Sequence, residues 1–84
     1  MAVPLEHEPI GRPATVVRVL EPQSTPDWAF RLAEIGFVPG ERVVVTARAP
    51  AGGDPLAVRV GSSTFALRRA EAACVLVDPD EGAS

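Results

Sequence analysis

Cysteine is almost absent from this chain: Cys74 stands alone among 84 residues, so no internal disulfide can staple the fold. Lysine is missing entirely. All eight basic residues are arginine, set against eleven acidic ones, for a net charge of -3. Nucleic-acid and anionic-membrane binders usually carry a clear basic excess, so the balance argues against both. No run approaches the roughly 18–20 apolar residues that cross a bilayer. The N-terminus, M-A-V-P-L-E-H-E, has neither the positive start nor the apolar stretch of a signal peptide. The expectation is a soluble, cytoplasmic chain that meets a membrane only through a partner.

Catalytic equipment is equally thin. The one imidazole, His7, and the one thiol, Cys74, lie at opposite ends of the chain, with no third group suggested to orient them. Acid–base and nucleophilic catalysis need such groups within hydrogen-bond reach. The chain therefore reads as something other than an enzyme. Gly52-Gly53 lacks the following lysine or helix of a phosphate-cradling loop and reads as a turn.

What is present suits a small folded domain. The composition is 46% hydrophobic and 23% charged, too apolar for a disordered chain. A domain of this size buries only about 60–65% of the surface its unfolded chain exposes, so most inward strand positions should matter. The expected organisation is one domain over residues 1–77 and a flexible acidic tail over 78–84.

The pattern is clearest from Leu32 to Val45. Gly36 sits where a helical pattern stops, and a glycine there closes a helix in the left-handed conformation at no Cβ cost. Pro39-Gly40 suits a type II turn. The valines after Arg42 favour a strand. Upstream, Thr25, Pro26 and Asp27 read as helix cap, first helical position and dipole-matching acid. Trp28, Leu32 and Ile35 then form the apolar stripe of a short helix, with Phe30 on the opposite side.

Leu5 to Ile10 reads as an edge strand or extended lead-in. Thr15 to Leu20 reads as a strand with Val17 and Val19 inward and Arg18 outward. Val43, Val45 and Ala47 are expected inward, with Arg42, Thr46 and Arg48 outward. A loop over 49–55, a turn at Gly61-Ser62 and a helical turn from Arg69 separate further strands carrying Leu56, Val58, Val60, Phe65, Leu67, Val75 and Val77. Several short strands with one helix point to a mainly β fold, a small closed barrel of five to six strands.

These residues resemble the FeoA proteins of bacterial ferrous-iron uptake. The likeness is carried by R-L-A-E-I-G-F-V-P-G at Arg31 to Gly40, G-D-P at Gly53 to Pro55, and A-L-R-R-A-E-A at Ala66 to Ala72. Leu32, Gly36, Pro39, Gly40, Gly53, Asp54, Pro55, Leu67 and Arg68 match the family pattern position by position, and the match runs from about Leu5 to Val77. Phe30 departs from it, standing where a polar residue is expected. The resemblance implies an SH3-like β-barrel with one inserted α-helix. It also implies a non-catalytic accessory role beside FeoB, the membrane ferrous transporter with a GTPase domain, with no cofactor required. A looser version of the motif occurs in the C-terminal domain of iron- and manganese-dependent repressors. The alternative is therefore a stand-alone SH3-like module in metal-responsive regulation.

The candidate partner-binding residues are Phe30, Phe37 and Val38, together with Arg48, Arg59 and Arg68, whose guanidinium groups could engage carboxylates of a GTPase domain. Phe37 has a competing role, packing beneath the capped helix end. The arginines could equally be solubilising side chains. Glu6-His7-Glu8 offers donors suited to zinc or ferrous iron. On a strand, Glu6 and Glu8 share one face and His7 points to the other. A surface divalent metal would then be shared between two chains of a weak homodimer, built on His7 with Glu6 or Glu8. The competing reading is a solvated N-terminal strand.

Overall fold

The structure is a computed structural model that describes residues 1–21, 27–50 and 52–79. Thr25 and Pro26, the expected cap and first helical position, lie outside the described residues, as do 80–84.

Six strands form one antiparallel sheet: β1 (Val3–Pro4), β2 (Ala14–Val19), β3 (Arg42–Arg48), β4 (Leu56–Val60), β5 (Ser63–Leu67) and β6 (Val75–Pro79), in the order β1-β6-β2-β3-β4-β5. Helix α1 (Asp27–Glu34) connects β2 to β3, and a single turn of helix, α2 (Arg69–Ala72), connects β5 to β6. The architecture is mainly β, as expected, but closure is not complete: among the described residues β1 and β5 do not pair, so the sheet keeps two edges that a fully closed barrel would lack. Asp78 and Pro79 belong to β6, opposite Thr15 and Ala14, so the ordered domain runs past Val77. The sheet wraps one core, in which Phe37 is the largest fully buried side chain, alongside Leu5, Leu32, Leu56 and valines of β2, β3, β4 and β6.

The junction between α1 and β3 follows its residues closely. Gly36 has φ of +120°, and two bonds close the helix: Gly36 N–H to Ala33 C=O at 3.2 Å and Phe37 N–H to Leu32 C=O at 3.0 Å. This 5→2 and 6→1 pair is a Schellman cap, and its accompanying apolar contact falls between the positions of Leu32 and Phe37, both buried. Glu41 N–H then reaches Val38 C=O at 3.1 Å with Gly40 at φ of +94°, the type II turn that Pro39-Gly40 predicts. Gly40 N–H to Val16 C=O and Val16 N–H to Glu41 C=O, each 2.8 Å, fasten that turn to β2.

Two expectations of strand facing fail, both for the same reason. In β2 the register shifts between Val16 and Arg18, so Val17 is an extra residue turned to the surface, 42% exposed, and Val16 takes the core position. In β3 the shift falls between Val45 and Ala47, with Thr46 the extra residue. Ala47 is consequently exposed, and Arg48, expected outward, is half-buried. Alternation has a period of two, so one inserted residue exchanges the faces of everything after it.

The N-terminal segment also departs from expectation. Leu5–His7 is a turn of 3-10 helix, not an edge strand, and only Val3 and Pro4 pair with β6. Leu5 is buried in the core at 1% exposure. Gly11 N–H donates to Val45 C=O at 2.8 Å, beside the β3 bulge. Arg48 Nη2 donates to the carbonyls of Glu6 and Glu8 at 2.6 and 2.9 Å. The bulge thus turns Arg48 into a clasp on the N-terminal segment.

Candidate functional site

Surface features with chemical content gather around α1. The helix is apolar on its inner face, where Leu32 is buried and Trp28 and Ile35 are half-buried, while Phe30 on the outer face is 69% exposed. Val38, in the turn laced to β2, is 37% exposed, and Val17 and Leu20 of the same region are 42% and 39% exposed. Four sizeable apolar side chains therefore meet water on α1, on β2 and just after it, and in the turn that follows α1. Exposed apolar side chains form a docking surface where they join into one patch.

On the other flank of α1 lies a cavity of about 530 Å³. Trp28 and Arg31 of α1, Asp54 and Pro55 before β4, Ala66 and Arg68 at the end of β5, and Glu71 of α2 line it. Glu71 organises this corner: its carboxylate accepts the Arg68 N–H at 3.0 Å and pairs with the Arg31 guanidinium. The Glu71 side chain is 8% exposed, so burial and the double engagement fix it in place. Asp54 Oδ1 accepts the Arg69 N–H at 3.0 Å, satisfying an otherwise free donor at the start of α2. The Arg69 side chain reaches the Gly52 carbonyl and the Glu6 carboxylate, both at 3.3 Å. Of the arginines in this corner, Arg68 alone has a guanidinium that makes no bond to the described residues.

The candidate residues thus divide. Phe30, Val38, Arg59 and Arg68 are at the surface. Phe37, at 1% exposure, is core and unavailable to a partner. Arg48 is spent on the N-terminal carbonyls and does not face outward beside Arg59. Leu32, Gly36, Pro39 and Gly40 build the capped corner, and Gly53, Asp54 and Pro55 lead into β4 and tie it to α2. Sequence reasoning missed Trp28 and Arg31 as groove residues, and Glu71 altogether. The available signal for Glu71 was its place three residues after the residue preceding a helical turn, the spacing by which an acid reaches back to a cap position.

The metal candidates do not converge within one chain. Glu8 is buried, with Oε1 3.5 Å from Arg12 Nε, so it is not a surface ligand. His7 is exposed, 3.6 Å from the Glu6 carboxylate, which also pairs with Arg69. Among the described residues no three histidine, cysteine, aspartate or glutamate side chains are grouped to hold a metal. The Cys74 thiol is within 3.6 Å of the Ala70 carbonyl and is pushed up from its ordinary value by burial and then by the Glu71 carboxylate. It forms no pair with an imidazole. No helix among the described residues is long and apolar enough to cross a membrane.

Among curated proteins no match is found. Solved structures do match. One is FeoA of Stenotrophomonas maltophilia, 44% identical over 93% of this chain and 89% of that one, with a TM-score of 0.81. That protein is described as an SH3-domain protein, complexed with zinc, with a proposed role as a bacterial ferrous-iron transport activating factor. FeoA of Chlorobium tepidum is 30% identical over 95% of this chain and 75% of its own, with a TM-score of 0.79. A manganese-dependent transcriptional repressor also matches, at 25% identity and a TM-score of 0.78, over 94% of this chain but only 42% of the repressor. The model of the FeoA domain matches residues 3–79, and with the SH3-like fold and the capped corner in place, the chain belongs to the FeoA family.

Proposed function

We propose that this protein is a non-catalytic, cytoplasmic accessory of bacterial ferrous-iron uptake that binds the GTPase domain of a FeoB-type transporter and modulates transport. The observation that carries this reading is the family match over 3–79, together with the 44% identity to a protein with a proposed role as a transport activating factor. The surface supports it. Phe30 and Val38, with Val17 and Leu20, offer exposed apolar area to a partner, and Arg59 and Arg68 offer donors to its carboxylates. Contact with the membrane is indirect, through the transporter, and nucleic acid is not a partner. The test is genetic and biochemical: the tagged chain should co-purify with the transporter, and its deletion should reduce ferrous uptake. Undiminished uptake after deletion would end this reading.

A second reading has one observation in its favour, the likeness to the manganese-dependent repressor. On it, the chain is a stand-alone module in metal-responsive regulation and should associate with a DNA-bound repressor, not with the transporter. A divalent metal enters the first reading only as a surface ion shared between two chains of a weak dimer, with His7 and Glu6 as donors from each. Loss of zinc binding in His7→Ala, with the fold unchanged, supports that ion; retained binding ends it.

A further inference from the structure

The open side of β5 is unguarded. The strand, S-T-F-A-L from Ser63 to Leu67, ends the sheet and, among the described residues, pairs only with β4. Its two-residue connection to β4 makes Val60 and Ser63 the hydrogen-bonded closing pair. Alternation then directs the N–H and C=O groups of Ser63, Phe65 and Leu67 to β4, and those of Thr64 and Ala66 outward. No backbone group among the described residues meets them. Natural edge strands are usually protected by charge, proline, a bulge or extreme shortness. The opposite edge, β1, is two residues long and contains Pro4. β5 has none of these devices: five uncharged residues, paired with β4 without a register shift.

The side chains beside this edge complete a receptor. Ala66 and Arg68 line the cavity of about 530 Å³, faced by the Trp28 indole and the Pro55 ring. Arg31 and Glu71 neutralise each other there, and Asp54 is engaged by the start of α2. Arg68 is left with a fork of donors and no acceptor among the described residues, the geometry a carboxylate fills in bidentate fashion. We propose that β5 receives an extended segment of the partner protein as an added strand, an acidic side chain of that segment pairing with Arg68 and an apolar neighbour resting on Trp28 and Pro55. This rests on the accessory reading above and names how the partner docks. A second copy of this chain fits less well. β5 paired antiparallel with itself about Phe65 would set Ser62 opposite Arg68, and residues 61–67 contain no acid.

The experiment uses the full chain and the isolated cytosolic GTPase domain of the transporter as the probe. Amide exchange is followed by NMR, and binding by calorimetry, for the parent, Ala66→Pro and Arg68→Glu. Proline at Ala66 removes an outward N–H while leaving the β4 ladder intact, a position edge strands tolerate. The expected result is at least about tenfold slower exchange at Thr64 and Ala66 in the complex, with each variant binding at least about tenfold more weakly. Binding by the parent with unchanged exchange at both amides overturns strand addition and leaves the accessory reading standing. No binding by the parent overturns both. If Ala66→Pro fails to fold, the exchange pattern and Arg68→Glu decide. Self-association of the chain through the same amides, without the transporter domain, overturns the choice of occupant.

Discussion

Replacing Gly36 by alanine should cost the domain a large part of its stability, and the two sources of that cost can be separated. The first is conformational. At φ of +120° an L-residue is strained, by about 1–2 kcal/mol on the scale of left-handed backbone. The second is steric, since a Cβ on Gly36 would stand 2.9 Å from Val60 Cγ1, closer than such atoms approach. Val60 is 7% exposed, so it has little room to give, and overpacking of this kind costs about 1–3 kcal/mol. Together Gly36→Ala should destabilise by about 2–5 kcal/mol, against a total for a domain of this size on the order of 5–10 kcal/mol. Urea unfolding reads both terms when Val60→Ala is added in a double-mutant cycle. Val60→Ala alone should cost about 2 kcal/mol for the methyl groups lost. In the double variant the steric part disappears and the backbone part remains, so the two substitutions should fall short of additivity by about 1–3 kcal/mol. Additivity within about 0.5 kcal/mol, or a Gly36→Ala variant as stable as the parent, would rule out a clash between a Cβ at position 36 and Val60.

Three further outcomes follow from the same structure. Leu5→Ala should destabilise by about 2–5 kcal/mol in urea unfolding, because Leu5 is core; a frayed N-terminal segment would show a change within about 0.5 kcal/mol. Glu71→Ala removes the acceptor of the Arg68 N–H and the partner of Arg31, and should cost about 1–2 kcal/mol, with faster amide exchange across α2. The Cys74 thiol, raised by burial and by Glu71, makes the folded state favour the protonated form. That contribution is present below the ordinary thiol value of 9.0 and is lost as pH rises past it, so stability should fall above pH 9.0 in the parent and less in Cys74→Ala. Alkylation at pH 8 should correspondingly be slower in the folded chain than in urea.

The corner from Gly36 to Glu41 was legible because every residue in it has a local reason: glycine for positive φ, proline for a fixed φ, glycine again for the turn. Strand positions were legible up to the bulges. Nothing in T-V-V-R-V or V-V-T-A-R announces an extra residue, because Val17 and Thr46 are ordinary strand residues and the bulges are seen only in the pairing with β6 and β4. Arg48 misled for that reason. The groove was harder still. Trp28, Arg31, Arg68 and Glu71 lie on three elements, and only tertiary packing brings them together. Leu5 was hidden by its polar neighbours, Glu6-His7-Glu8, which give no apolar period to read. Phe30 was the most legible of the candidate site residues, since a helix that buries Leu32 must turn Phe30 outward.

On the proposed reading, the outer face of α1 docks to the transporter's GTPase domain. Calorimetric titration of the chain into that isolated domain tests it most directly, with Phe30→Glu as the comparison. Phe30 is exposed, so the variant should keep its stability within about 0.5 kcal/mol. Binding heat from the parent and none from Phe30→Glu is the result expected; equal heat from both, or none from the parent, would contradict the account.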